Sequence, residues 1–308
     1  MDRPEHINIV EVGPRDGLQN EAQPLSPPER IELINRLAEA GLTQIEAGAF
    51  VSPRWVPQMA GSDEVLLALS SRSDLRLPVL VPNRKGYQTA RAAGAREIAI
   101  FGAASETFSE RNINCGIDES LARFAEVCTL ALDEGIRIRG YISCVLGCPY
   151  EGEVDPGRVA ELAARMTAMG CTEISLGDTI GVGTPDKARS LVKACAHETG
   201  IERLSVHFHD TYGQALANIL ACIEIGVTTV DTAVGGLGGC PYATGSTGNV
   251  ATEDVVYLLD GLGIESGVSL EHLMGITEWL CERLGHPPAS RVARALLARR
   301  KQPGAVSD

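Results

Sequence analysis

No run of about 18 consecutive apolar residues occurs in the chain, which excludes a membrane-spanning helix. The opening, MDRPEHINIVEVGPRDG, carries neither a basic and apolar leader nor an Arg- and Ser-rich transit segment. The expectation is therefore a cytoplasmic protein with no membrane partner. Positive charge is scarce: 27 Lys and Arg stand against 40 Asp and Glu, a formal net charge of −13. That balance argues against non-specific binding to nucleic acid or anionic membrane, although a few local Arg or Lys would suffice for a phosphate-bearing ligand. Cys144 and Cys148 are spaced C-x₃-C, but no second pair accompanies them, so a structural zinc site lacks its other half. The nine cysteines are an odd number and scattered, which fits a reducing cytosol better than a disulfide framework. The pattern G-x-x-x-x-G-K-[ST] is also missing, and with it a nucleotide P-loop.

What is present is an ordinary globular composition, 44% hydrophobic and 22% charged over 308 residues. That length suits two average domains, or one barrel with a short extension. The chain repeats one unit: a short apolar strand, a polar loop, an amphipathic helix, then a glycine. Strand-like runs fall at 8–12, 44–47, 79–81, 97–101, 137–143, 173–176, 204–207 and 229–233. They are Val- and Ile-rich, as strands buried on both faces of a parallel sheet should be. The helical patterns between them open on Asp, Ser, Thr, Asn or Pro and close mostly on Gly41, Gly94, Gly135, Gly170, Gly200, Gly226 and Gly263. Eight such units predict an α/β fold, a (β/α)₈ TIM barrel spanning 1–265. An open doubly wound sheet shares the same local grammar. Two further helices, around 269–284 and 288–299, predict a C-terminal extension (266–308) packed on or near the barrel.

Function in such a barrel sits where strands end and loops begin. Strand 1 ends EVGPRDGLQ, placing Arg15, Asp16 and Gln19 on the first loop; strand 2 ends with Glu46. Strand 5 carries Arg139 and Tyr141, strand 6 ends at Asp178 and Thr179, and strand 7 ends VHFHD. His207 and His209, two apart in a strand, point to the same side, with Phe208 opposite. They are either a pair of hydrogen-bonded histidines or half of a metal site. Asp16, delivered to the same mouth, favours the latter, and imidazole with carboxylate and amide suits Mg²⁺ or Mn²⁺. Arg15 beside Asp16 is either a surface pair or a fixed cation for a developing oxyanion. Glu46 can merely hold an arginine. Cys240 lies in GGLGGCPYATGSTGN, whose glycines suit a lid; it is either a proton shuttle or a buried bystander.

At these residues the chain resembles the hydroxymethylglutaryl-CoA lyases, members of a metal-dependent barrel superfamily of lyases and Claisen-type condensing enzymes. EVGPRDGLQNE, AFVSPRWVPQM, RGYISCVLGCPYEG, EISLGDTIGVGTP, VHFHDTYGQALAN and GLGGCPYATGSTGNVATEDVVYLL carry the likeness, over roughly residues 5–285. The resemblance implies a metal bound by Asp16, His207, His209 and Asn249, an essential Arg15 and a catalytic Cys240. It implies further that Glu46, Gln19, Tyr141, Arg139, Asp178 and Thr179 line or support the pocket, and that Arg111 and Asn112 meet the CoA moiety. The implied reaction is retro-Claisen cleavage of 3-hydroxy-3-methylglutaryl-CoA, a step of leucine degradation, by an acyl-CoA-binding enzyme. Barrels with added C-terminal helices often pair, so a homodimer is expected. Its proton would be taken by His207 or Asp16. Phe208 replaces a smaller residue often found between the histidines. The tail ARRKQPGAVSD lacks the late cysteine of some animal members. The nearest rivals are a condensing acyltransferase of the same superfamily and a lyase for a longer branched 3-hydroxyacyl-CoA. His209 is followed by Asp210 and Thr211, and the region after the barrel is short; both features favour a lyase.

Overall fold

The computed structural model describes residues 3–239 and 248–300. One parallel sheet contains β1 (Asn8–Glu11), β2 (Gln44–Ile45), β3 (Gly48–Ala49), β4 (Val79–Leu80), β5 (Glu97–Ala103), β6 (Arg137–Ser143), β7 (Glu173–Asp178), β8 (Leu204–Phe208) and β9 (Thr229–Thr232). Their order is β2-β1-β9-β8-β7-β6-β5-β4-β3. The two end members are one stretch of chain, interrupted only at Glu46 and Ala47. The amide of Glu46 still donates to the Glu11 carbonyl (2.9 Å) and that of Ala47 to the Pro78 carbonyl (3.0 Å). The ladder thus passes through the break, and the sheet closes on itself as an eight-stranded barrel wrapped by helices. The expected closed barrel is what forms, and each of the eight expected strands has its place in it.

The helices begin and end where local chemistry dictates. The side chains of Asn83, Ser105, Asp155 and Ser269 each accept a hydrogen bond from the backbone three residues on, relieving free amides of the first turn. All seven of the expected terminating glycines have positive φ, a conformation a Cβ opposes. Two loops hold structure that periodicity did not show. Residues Gly13–Gly17 wind into a π-helical turn, in which the Val12 carbonyl accepts from the amides of both Arg15 and Gly17. The fourth loop contains a helix, Glu106–Ile113, started by Ser105.

The barrel axis is not filled by aliphatic layers throughout. Arg139, Tyr141, Ser175, Ser205, His207, Asp231 and Glu46 are all buried, and side-chain alternation brings them inward toward the C-terminal ends of the strands. The C-terminal extension is bound to the same end. Its helices, Leu270–Leu284 and Arg291–Arg300, flank a segment whose Ala289 and Ser290 amides donate to the Gly235 carbonyl (2.8 and 3.2 Å). The Gly235 amide donates to Glu253, which also accepts the hydroxyl of Thr277 from the extension. Asp254 accepts from the Ser290 hydroxyl (2.6 Å) and the Val292 amide (2.9 Å). The tail 301–308 lies outside the described residues.

Glu11 and Glu253 are completely buried. Burial pushes the Glu253 carboxyl up to about 7 and that of Glu11 up to about 8, against an ordinary 4.5. Because the folded chain binds these protons more tightly than the unfolded one, their contribution is full below pH 4.5 and is lost as pH rises through 7 to 8. Stability measured by urea unfolding should fall between pH 5 and 9, and Glu253→Gln should flatten the slope. A wild-type profile without slope would mean that the backbone amides keep both carboxyls ionised.

Candidate active site

Three side chains with metal-binding atoms converge at the C-terminal mouth. Asp16 comes from the π-turn after β1, His207 from β8, and His209 from the residue just beyond it. One ligand atom from each lies within 4.8 Å of the others. Their imidazole rings are tilted at 43° with centroids 5.6 Å apart, and His207 Nε2 stands 3.8 Å from an Asp16 oxygen. Alternation sends Phe208 to the opposite face, where it is fully buried. Asn249, bridged to His209 through the backbone, turns its amide onto the Asp16 carboxylate at 2.9 Å. The four side chains named as a metal set are therefore brought together.

What fixes His207 is a residue the sequence reading passed over. Asp231 is its ladder neighbour on β9, and the Asp231 carboxylate sits 3.1 Å from His207 Nδ1. Asp231 is gripped by both terminal nitrogens of Arg139 (3.0 and 2.5 Å) and by the Ser175 hydroxyl (2.8 Å). Burial works to raise its carboxyl, but Arg139 and His207 outweigh it and bring it down to about 2. An ionised Asp231 holds the proton on Nδ1 and leaves the Nε2 lone pair facing Asp16, the carboxylate–histidine arrangement that orients metal ligands. A sequence signal existed: an acid in the apolar run TTVDTAV must have a buried partner.

Arg15 is the second fixed point. Its guanidinium bonds Glu46 (2.8 Å) and Asp16 (2.7 Å) and lies 5.5 Å from the Tyr141 ring centre. It is 6% exposed, which rejects the surface-pair reading. Glu46 sits at the break between β2 and β3, so the interruption in the strand is where its carboxylate meets Arg15. Burial lowers and then the two carboxylates more than restore the Arg15 charge, so it is a permanent cation.

Two arginines, Arg15 and Arg139, face four carboxylates here: Asp16, Glu46, Asp231 and Glu173. Burial raises the Glu46 carboxyl against the pull of Arg15. The donor chemistry of the cluster points to a cation. Burial, then His207, pushes His209 down to about 4, so it is neutral, and its Nδ1 is a buried nitrogen with no partner. For Asp16, burial works upward, but Arg15 and the histidines together hold it well below the usual carboxylate range. An ionised carboxylate, neutral imidazoles and an amide fit a hard or borderline divalent ion.

The remaining expected residues divide. Arg139 is fully buried, spending its donors on Tyr141, Asp231, Ser205 and Glu173, so its geometry is that of support, with no face left for a substrate. Asp178 accepts the amides of Val182 and Gly183 and shapes the sixth loop; burial pushes its carboxyl up to about 6. Thr179 accepts the amide of Cys144, which has φ of 61°, and so steadies the fifth loop. Gln19 contributes a buried oxygen without a partner. Arg111 and Asn112 are exposed on Glu106–Ile113, with the Arg111 guanidinium 4.2 Å from the Tyr150 ring centre. They share the barrel mouth without touching the metal-binding cluster. Cys240 lies outside the described residues.

The family model described as HMGL-like matches residues 6–280. The chain is 55% identical over 292 residues to the mitochondrial hydroxymethylglutaryl-CoA lyase of Bos taurus, covering 95% of this chain and 90% of that one. It is 54% identical over 299 residues to the 3-hydroxy-3-isohexenylglutaryl-CoA/hydroxy-methylglutaryl-CoA lyase of Pseudomonas aeruginosa, covering 97% and 100%. Among solved structures, an HMG-CoA lyase from Acinetobacter baumannii in complex with coenzyme A and 3-methylmalate superposes with a TM-score of 0.91 at 33% identity, covering 99% and 98%.

Asp231→Asn should weaken Mn²⁺ binding by about 10- to 100-fold, because the amide no longer enforces the Nδ1 proton. Titration of the purified variant followed by Mn²⁺ electron paramagnetic resonance reads this directly. Unchanged affinity in a folded variant would separate Asp231 from the metal.

Proposed function

The chain belongs to the HMGL-like family, and from that premise we propose that it cleaves 3-hydroxy-3-methylglutaryl-CoA to acetyl-CoA and acetoacetate. It is a carbon–carbon lyase acting on an acyl-CoA thioester. The observation that carries the reading is the Asp16, His207 and His209 cluster with a buried cation, Arg15, 2.7 Å from Asp16. Asp16, His207, His209 and Asn249 would hold a divalent ion, Mg²⁺ or Mn²⁺ by the absence of a thiolate from this set. Bound there, the ion supplies Lewis-acid polarisation of the substrate oxygens and acidifies the 3-hydroxyl.

The chain's residues then divide the chemistry. A base takes the hydroxyl proton, the C2–C3 bond breaks, and its electron pair becomes the enolate of acetyl-CoA while C3 becomes the ketone of acetoacetate. Asp16 is a poor base, since its surroundings favour the bare carboxylate. We assign the proton to His207 Nε2, with Asp231 stabilising the imidazolium from Nδ1. Asp16, His209 and Asn249 would hold the ion without taking part in the proton transfer. Arg15, pinned by Glu46, faces the enolate oxygen without having to reorganise. Cys240 gives its thiol proton to the enolate carbon, and the proton on His207 returns to the thiolate. In support of that role, Gly239, next to Cys240 in sequence, accepts from Asn20 of the first loop (3.1 Å), and Gly248 accepts from Asp210 (3.2 Å). Arg111 and Asn112 meet the CoA moiety. A homodimer in the cytoplasm completes the proposal, in keeping with the free thiols of the described cysteines.

A second substrate belongs to the reading because the Pseudomonas aeruginosa relative carries both lyase names. A longer branched 3-hydroxyacyl-CoA, such as the isohexenyl homologue, would undergo the same bond cleavage.

Purified protein should release acetoacetate from 3-hydroxy-3-methylglutaryl-CoA with Mg²⁺ and stop with excess chelator. No release under reducing conditions with metal would remove this substrate and leave the longer thioesters to be assayed. Arg15→Met should fold and bind metal yet lose on the order of 10²-fold or more in kcat. Near wild-type turnover would sink the enolate role.

A further inference from the structure

The opposite end of the barrel holds a cleft of about 230 Å³ that the lyase chemistry leaves unused. It opens beside the first residues of β5 and β6, where Glu97 and Arg137 are ladder neighbours, and the chain leading into β4 at Arg76 and Leu77. Four arginines, Arg72, Arg76, Arg96 and Arg137, line it, against a single glutamate, Glu97.

The charges there do not cancel. Arg76 takes both oxygens of Glu97, at 3.0 and 2.5 Å, and Arg72 is occupied by Asp74 and Asn35. Arg137 stands next to Glu97 in the ladder yet forms no ion pair among the described residues. Arg96 reaches only the Ser70 carbonyl, at 3.5 Å. Two guanidinium groups therefore share one cleft without a carboxylate, in a chain whose net charge is −13. Acidic side chains are plentiful on this protein, yet only Glu97 lines the cleft, and Arg76 takes both of its oxygens. Below the charges, Leu66 and Leu69 form a buried apolar floor, with Leu75 and Leu77 beside them. At Gly94, on the rim, a Cβ would meet nothing within 4 Å, so the space there is open.

We propose that this cleft binds a small organic polyanion, bearing at least two carboxylate or phosphate charges on a short carbon body. Arg96 and Arg137 take the charges, through the paired donors that guanidinium offers to carboxylate and phosphate alike. The leucines take the body. The volume is below the roughly 300 Å³ at which pockets for drug-sized ligands begin, which excludes an entire CoA molecule. The site lies at the end of the strands away from Asp16 and His207, so its occupant does not compete with the thioester. Binding to the folded chain alone would stabilise it by mass action.

The test compares wild type with Arg96→Gln/Arg137→Gln, two exposed positions outside the catalytic machinery. Citrate and glycerol 2-phosphate serve as probes at matched ionic strength, read by calorimetric titration and by the thermal midpoint. The expected result is binding of at least one probe at about 1 mM or tighter, weakened at least tenfold in the double variant while its kcat and KM stay unchanged. Citrate alone would identify a polycarboxylate site, glycerol 2-phosphate alone a phosphate-ester site. Equal binding by wild type and double variant overturns the proposal. So does the absence of binding by both probes below about 10 mM.

Discussion

The buried pair of Arg139 and Asp231 is the constraint on which the reaction mouth depends. Neither charge reaches solvent, and each is satisfied only by the other and by inward-facing side chains of β6, β7 and β8. Taking two such ions out of water is costly, and the pair is worth little unless the geometry is tight and the remaining donors and acceptors are matched. Here they are: Glu173, Tyr141, Ser205, Ser175 and His207 complete the set. The cost is borne in the barrel axis, and the return is one defined orientation of one imidazole. That is a specificity argument rather than a stability argument, and it explains polar residues where such barrels usually hold Val, Ile and Leu.

Arg15 repeats the device one layer higher. Glu46 anchors it from a strand that gives up its regular ladder at that residue, and Asp16 shares it with the metal-binding cluster. The two arginines thus differ in what they leave free. Arg139 has every donor spoken for, whereas Arg15 faces the mouth across the Tyr141 ring with a permanent charge. The same residue type is a scaffold in one place and open to the mouth in the other, decided by burial and by how many of its donors are already taken.

Much of this was legible in the chain. The eight strands follow from apolar runs of fixed length, and the helix ends from glycines whose positive φ no other residue adopts cheaply. His207 and His209 were found because a spacing of two places both rings on one face, and Asp16 because it closes a strand. Asp231 was not, since a mid-strand acid looks like a lapse in an apolar run until its ladder partner is known. The π-turn at Gly13–Gly17 was also invisible: its bonding skips one residue further than a helix, and no side-chain period marks a turn so short. The resemblance implied that Arg139 lines or supports the pocket, and the network of its five donors shows support from beneath.

The grip of the C-terminal extension on Gly235 has a consequence for how the protein is born. The last barrel strand ends at Thr232, and the turn just after it takes hydrogen bonds from Ala289 and Ser290. Chains fold from the N-terminus as they leave the ribosome. All eight strands therefore emerge before the residues that set the mouth. A nascent chain passes through an interval in which the barrel can close while the turn at Gly235 is not yet held by the extension.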